Sequence, residues 1–239
     1  MGPDLPLRIL FVLPYPPNRI RTRSFHLLRA LVAEGHKITL ATLSKCETEL
    51  HEVDDLADRL DSLIVEQLGS WRSLWNSLRA MPTSQPIQSA YSWSPRFANK
   101  LLQVVKEKQF DIIHVEHLRG ARYGSMLASF VSRHSDREIP VVWDSVDCIS
   151  GLFHQAAQQS HTFRSRFITA FELPRTQFYE AGLVRQFDRV LVTSETDREE
   201  LLTLAEKKCR KAAKPTQSIL AKKVVVVPNG VDLQYFVPK

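Results

Sequence analysis

The feature that most constrains this chain is the alternation of short apolar runs with longer stretches of helical periodicity. The first run, at 7–13, is almost continuously apolar, which is typical of a strand buried on both faces of a parallel sheet. Similar runs recur at 37–43, 62–66, 111–115, 140–143, 188–193 and 223–227. Predicted helices lie between most of them, at 24–34, 95–108, 120–133, 149–186 and 195–213. This order predicts an α/β fold with a doubly wound, mostly parallel sheet.

Length and composition agree with a globular domain that has a substantial core. The 239 residues are 44% hydrophobic and 24% charged. No apolar run approaches the roughly 20 residues that a membrane-spanning helix needs, and no secretion signal is recognisable. The three cysteines, Cys46, Cys148 and Cys209, share no C-x-x-C spacing. We therefore expect a cytoplasmic location and neither a disulfide framework nor a zinc site.

The loop after the first strand is the first candidate for ligand binding, because ligands of such sheets bind beyond the carboxyl ends of the strands. It contains neither G-x-G-x-x-G nor G-x-x-x-x-G-K-[ST], which disfavours a dinucleotide or P-loop site. Arg19, Arg21 and Arg23 stand instead beside a predicted helix N-terminus, where an anionic ligand is favoured. The net charge of +6 agrees with an anionic partner. The alternative is a solvated basic loop.

Two further candidate groups follow the next central strands. Glu116 and His117 come directly after the run at 111–115, and Arg119 lies two residues on. A Glu–His pair there can bind a sugar hydroxyl or transfer a proton, and the alternative is capping of the next helix. Asp144 and Asp147 either hold a hydroxyl-rich ligand or begin a helix.

Some neighbouring residues are assigned structural roles. His114 is expected in the core, and a metal site with it would need a third ligand that the sequence does not supply. Ser194 and Asp197 match a capping box. The basic segment at 207–223 is expected to be a solvated helix face. We expect no nucleic-acid role, since no recognised binding module accompanies the charge.

Two aromatic groups are candidates for contact with a membrane surface. One lies in an irregular stretch and the other at helical spacing: Trp71, Trp75 and Trp93, and Phe163, Phe167 and Phe171. The alternative for both groups is burial in a core or at an interface between domains.

The end of the chain resembles a known family. The stretch at 224–238, VVVVPNGVDLQYFVP, is similar to the V-x-P-N-G-V-D-x-x-x-F-x-P segment of retaining GT-B glycosyltransferases of family four. Four more stretches agree with that family: P-Y-P-P at 14–17, R-x-x-x-L-x-x-A-L-x-x-x-G-H at 23–36, H-V-E-H-L-R at 114–119 and D-R-V-L-V-T-S at 188–194. The resemblance covers essentially the whole chain. It is nearest to bacterial sugar transferases of exopolysaccharide assembly.

The resemblance implies the N-terminal, Rossmann-like half of a two-domain GT-B enzyme. Residues 1–239 would be a single acceptor-side domain, with 228–239 as the start of the interdomain linker. The donor-binding domain with its E-x7-E motif would be absent, so we expect no activity from this chain alone. The implied substrates are a nucleotide-sugar donor and a glycan or lipid-linked acceptor, with no cofactor or metal. The implied partners are a second domain or subunit and the inner face of a membrane, through peripheral contact.

The resemblance also implies roles for the candidate residues. Glu116 or His117 would touch the donor sugar or the acceptor, and the three loop arginines would face a phosphate or an anionic acceptor. Asp144 and Asp147 would line the acceptor side, and Arg119 would also bind substrate. Transfer would retain the anomeric configuration, with the leaving phosphate assisting and no protein nucleophile. The alternative is a non-catalytic module that binds an acceptor or a partner.

Overall fold

The fold is built from the apolar runs that the sequence predicts as strands. In the computed structural model they are β1 (Arg8–Leu13), β2 (Lys37–Ser44), β3 (Ser62–Gln67), β4 (Ile112–Glu116), β5 (Val141–Val146), β6 (Arg189–Val192) and β7 (Val224–Val226). The structure describes residues 5–18, 22–50, 53, 56–134, 138–159, 163–209 and 217–230. Within these ranges all seven strands form one parallel sheet in the order β3-β2-β1-β4-β5-β6-β7. The predicted doubly wound sheet is confirmed.

Helices connect the strands as the periodicity predicts. They are α1 (Thr22–Ala33), α2 (Ser70–Ala80), α3 (Ile87–Tyr91), α4 (Pro95–Glu107), α5 (His117–His134), α6 (Ile149–Gln159), α7 (Phe163–Gln186), α8 (Glu195–Cys209) and α9 (Gln217–Lys223). The region at 149–186 is thus two helices. The largest difference is at α5, which begins three residues before the predicted start at 120, because the chain enters this helix directly from β4.

Two hydrophobic clusters fix the layers on either side of the sheet. On one face Leu28 of α1 packs with Ile9, Phe11 and Ile38 of the first two strands. The opposite face carries the larger cluster, to which α4, α5, α7 and α8 contribute. Burial of these side chains is the main favourable contribution to folding. Because helices cover both faces, the carboxyl-end edge of β1, β4 and β5 is the place where the sheet can meet a ligand.

The segment between β3 and α4 forms an excursion that is anchored on α5. Tyr123 of α5 is buried, and its hydroxyl donates to the carbonyl of Ser92 at 2.7 Å and accepts from the amide of Ser94 at 2.6 Å. The ring of Trp93 stacks on that of Tyr123 with centroids 4.9 Å apart. The stretch predicted as a helix plus an irregular segment is therefore α2, α3 and their connection, held by a buried tyrosine.

Among the helices that the structure describes, none combines the length and the apolar character needed to cross a bilayer.

Candidate active site at the carboxyl ends of the central strands

Two buried carboxylates lie side by side where β4 and β5 end. Glu116 is the last residue of β4 and stands opposite Asp144 in the β4–β5 register. The two residues are 2% and 0% exposed. The sequence analysis placed Asp144 after the strand, but β5 continues to Val146, so Asp144 belongs to the sheet itself. Buried neighbours of like charge raise each other's pKa unless a cation compensates one of them.

Glu116 is the carboxyl of this pair whose pKa is raised. Its Oε1 accepts a hydrogen bond from the Tyr15 hydroxyl at 2.9 Å, whereas its Oε2 is buried with no hydrogen-bond partner among the described residues. Burial and the nearby charge of Asp144 raise the pKa of Glu116 to about 7, although Arg23 and hydrogen bonds from Tyr15 and Ser24 act in the other direction. Near neutral pH this carboxyl can therefore both donate and accept a proton.

Asp144 is held by Arg23, the first-turn arginine of α1. The Nε of Arg23 donates to Asp144 Oδ2 at 2.9 Å, and its Nη1 donates to the Val227 carbonyl at 2.7 Å and to Asn229 Oδ1 at 3.2 Å. The sequence analysis expected this guanidinium to face an anionic ligand from the loop. It is 9% exposed and paired with Asp144, and its contact with a ligand stays a prediction. Arg19 and Arg21 lie outside the described residues.

His114 is a core histidine, as predicted, but it also borders the site. Its ring stacks on Phe11 with centroids 4.1 Å apart, and its Nε2 lies 3.8 Å from Asp144 Oδ2. Burial lowers the pKa of His114 to about 4, with the attraction of Asp144 only partly offsetting that effect. The imidazole is therefore neutral at physiological pH. It shields the Arg23–Asp144 pair from water and adds no charge to it.

Strained backbone marks the same edge of the sheet. His117, which directly follows β4, has φ of 64°, and Val146, which is the last residue of β5, has φ of 67°. These two strands carry the two carboxylates. A positive φ costs energy for any non-glycine residue, most of all for β-branched valine, and such residues cluster at functional sites. The Val146 amide donates to Asp144 Oδ1 at 3.1 Å, and the β5–β6 register shifts between Asp144 and Val146.

The surroundings of His117 are compatible with both interpretations that the sequence left open, helix capping and a role in the site. Its Nδ1 accepts a hydrogen bond from the Arg119 amide at 3.2 Å, which satisfies one of the free amides in the first turn of α5. Its ring also lies 6.1 Å from the Tyr15 ring in an edge-on arrangement, so it borders Glu116 through Tyr15. The capping role is observed, and the catalytic role stays a prediction.

The second aspartate lies at the rim of the site. Asp147 is partly buried, and its Oδ1 accepts a hydrogen bond from Thr193 Oγ1 at 3.2 Å. Burial raises the pKa of this carboxyl. The predicted capping role of Ser194 is confirmed, since its Oγ accepts from the Asp197 amide at 3.1 Å, whereas Asp197 Oδ1 accepts from the Cys148 amide at 2.8 Å, just before α6.

Arg119 lies apart from the paired carboxylates. Its guanidinium carbon is 5.4 Å from the centroid of the Tyr91 ring, and its Nε is buried without a hydrogen-bond partner. The side chain lines a cavity of about 60 Å³ that Ser44 and Tyr15 also border. Tyr15 therefore borders this cavity and also donates a hydrogen bond to Glu116.

The sequence analysis did not identify two residues that make hydrogen bonds in the site. Tyr15, which binds Glu116, appeared there only as part of the P-Y-P-P loop, and Asn229, which binds Arg23, only as part of the terminal motif. Position in a loop beyond a strand was the one signal for Tyr15. Among the described residues, no three His, Cys, Asp or Glu side chains are grouped so as to hold a metal ion.

Comparison with known proteins assigns the family. The profile of Glycosyltransferase Family 4 matches residues 20–235, and the chain belongs to that family. No protein of curated function matches the sequence.

Solved structures share the fold at low sequence identity. The crystal structure of Anabaena Alr3699/HepE in complex with UDP and glucose is 12% identical, with a TM-score of 0.50 over 95% of this chain and 46% of that one. The Phytolacca americana UGT2 structure, complexed with UDP-2fluoro-glucose and pterostilbene, is 10% identical, with a TM-score of 0.49 over 94% of this chain and 54% of that one. The chain thus spans about half the length of these structures.

Proposed function

We propose that this chain is the acceptor-side part of a glycosyltransferase that moves a sugar from a nucleotide-sugar donor to a glycan or lipid-linked acceptor, with retention, at the cytoplasmic face of a membrane. The observation that carries the proposal is the Glu116 carboxyl. It is buried at the end of a central strand, held at one oxygen by Tyr15 and without a hydrogen-bond partner at the other. In a Family 4 glycosyltransferase such a carboxyl suits a sugar hydroxyl.

The chemistry follows from the protonation state of that carboxyl. With a pKa of about 7, Glu116 can donate a hydrogen bond to a sugar oxygen when protonated and accept one from a hydroxyl when ionised. Tyr15 fixes its orientation, so the sugar is bound without reorganisation of the site. We place His117 beside the same sugar and Asp147 on the acceptor side.

The leaving phosphate needs cations. Arg23 is already neutralised by Asp144, and Arg119 lies toward Tyr91. We propose that Arg19, Arg21 and a donor-binding domain supply this charge. The relatives are about twice as long, which leaves room for such a domain. These 239 residues alone are then expected to release no nucleotide from nucleotide sugars.

A transfer assay tests the proposal. The 239-residue chain, alone and fused to the donor-binding domain of a Family 4 glycosyltransferase, is incubated with a panel of radiolabelled nucleotide sugars and with glycan or lipid-extract acceptors, and labelled product is counted. We expect product from the fused protein only, with the anomeric configuration of the donor by NMR. Robust turnover by the 239 residues alone would overturn the need for a second domain, and no transfer to any acceptor by the fused protein would overturn the function.

A matched pair of variants tests the role of Glu116. Glu180 is the control, because it is also fully buried and its pKa is also raised by burial to about 7, but it binds the amides of Ile149 and Ser150 at the start of α6. We expect Glu116→Gln to lower kcat about 10²-fold or more, the usual contribution of a general acid or base, while Glu180→Gln keeps the rate. Equal rates for both variants would contradict the assignment.

A further inference from the structure

Helix α2 is oriented with its apolar face toward solvent. Trp71 is 85% exposed and Trp75 is 61% exposed, and the residues that share their face are Leu74, Leu78 and Met81, each 48–50% exposed. The spacing of these positions at i, i+3, i+4 and i+7 places them on one side of the helix. A surface helix of a soluble domain normally buries such a face. This one leaves a continuous apolar stripe uncovered among the described residues, and contiguous exposed patches of this kind mark interaction sites.

The opposite face of α2, which is small and polar, makes the contacts with the domain. Ser73 and Ala80 are buried there. Asn76 Nδ2 donates to the carbonyl of Trp93 at 2.8 Å, and the Ser77 hydroxyl donates to the Ser73 carbonyl at 2.9 Å. The Asn76 hydrogen bond, which leaves the helix, fixes the rotation of α2 against the domain. The tryptophans are therefore presented outward by the fold, and turning the helix inward would break the contacts of Asn76.

The cleft beside this stripe is lined by cations. The segment at 68–106 contains five Lys or Arg residues and no Asp or Glu. Arg72 and Arg79 lie one heptad apart on α2. With Arg122 of α5 they line a cleft of about 440 Å³ beside Trp75, and none of the described residues that line it is acidic. The Arg122 guanidinium carbon lies 3.9 Å from the centroid of the Trp93 ring, so Trp93 forms a wall of the cleft.

We propose that this face of α2 docks the protein on the surface of an anionic lipid bilayer. The tryptophans and leucines would enter the boundary between headgroups and acyl chains, and the arginine cleft would bind lipid phosphates. An apolar stripe flanked by cations, without acids, fits a bilayer surface that is apolar below and negative above. The inference deepens the proposed function, because a lipid-linked acceptor lies at such a surface, but its test requires no sugar transfer.

The aromatic group on α7 is the weaker candidate. Phe171 is covered by Arg175, whose guanidinium carbon lies 3.8 Å from the ring centroid. The side chains of Phe163 and Phe167 lie outside the described ones.

Sedimentation with vesicles tests the docking surface. The 239-residue chain is mixed with vesicles of phosphatidylcholine alone or with phosphatidylglycerol added, and the bound fraction is measured at low and high salt. We expect binding to the anionic vesicles only, with loss of binding at high salt. Equal binding to both vesicle types, or none to either, would overturn the proposal.

Matched variants locate the contact. We expect Trp71→Ser with Trp75→Ser to abolish sedimentation, and Phe178→Ser, which removes an exposed aromatic of α7, to leave it unchanged. Arg72→Gln with Arg79→Gln should weaken partitioning about 10- to 30-fold, since each cation near an anionic leaflet contributes about a factor of five. The charge-matched control is Arg133→Gln with Arg189→Gln, two exposed positions outside the segment at 68–106.

Two results would assign the face to another occupant. If the α2 variants bind vesicles as well as the unchanged chain does, the contact lies elsewhere. If no vesicles bind and analytical ultracentrifugation shows an oligomer that the tryptophan variants dissociate, the stripe is an interface between copies of this chain. Vesicle binding without transfer activity would overturn only the proposed function, and transfer without vesicle binding only the docking surface.

Discussion

At the scale of single residues, the site depends on pairings between distant parts of the chain. Tyr15 and Glu116 are 101 residues apart, and Arg23 and Asp144 are 121 residues apart. Arg23 also binds the Val227 carbonyl and Asn229, so one guanidinium joins α1, β5 and the segment that leaves β7. Because Asp144 is completely buried, its ion pair with this arginine compensates the cost of burying the two groups.

Replacing Arg23 should therefore be costly to stability. Arg23→Met removes the cation that is paired with the buried Asp144 carboxyl, and we expect the free energy of unfolding to fall by about 3–5 kcal/mol in urea denaturation. Arg23→Met with Asp144→Leu should recover most of that loss. The control is Lys108→Met, which removes a solvent-accessible ion pair of 3.0 Å with Asp61 and should cost about 1 kcal/mol or less. A cost for Arg23→Met no larger than this control would contradict the structural role of the pair.

At the scale of elements, the sequence predicts most of the fold, because buried parallel strands are nearly continuous apolar runs. All seven strands were located within a few residues. The end of β5 was missed, since Asp144 and Ser145 look like loop residues until their burial is known. The sequence also could not predict which face of α2 is exposed, because helical periodicity shows that a face is apolar but not what covers it. Position after strands made Glu116 and His117 candidate residues, but it could not predict the pairing of Glu116 with Tyr15.

The contact between α5 and the end of α7 gives an element-scale prediction. A Cβ added at Gly124 would lie 2.7 Å from the Phe187 ring and 3.2 Å from a Val115 methyl group. Both neighbours are fully buried. We expect Gly124→Ala to destabilise the fold by about 1–3 kcal/mol despite the better helix propensity of alanine.

The ring of Phe187 should be the cause of that cost. In thermal unfolding, Gly124→Ala is then expected to cost less in a Phe187→Leu background than in the unchanged chain. Additive effects of the two substitutions would show that α5 and the ring adjust independently.

At the scale of the whole molecule, three buried titratable groups couple stability to pH. Glu116 and Glu180 each have a pKa raised to about 7, so between about pH 4.5 and 7 the folded state holds protons that the unfolded state has lost. Each carboxyl therefore lowers the free energy of unfolding as pH rises. His114, with its pKa lowered to about 4, has the opposite effect, because between about pH 4 and 6.5 the unfolded state binds the extra proton.

The sum of these effects predicts a particular shape for the stability curve. Between about pH 5.5 and 7 both carboxyls lower stability as pH rises, and the histidine offsets part of that effect, so stability should fall most steeply in this interval. We expect a decrease of about 1–3 kcal/mol over that interval in urea denaturation. Glu116→Gln with Glu180→Gln should abolish this fall, whereas His114→Phe should steepen it. A curve that rises from pH 5.5 to 7, or that the double variant does not alter, would show that these carboxyls are ionised in the folded protein.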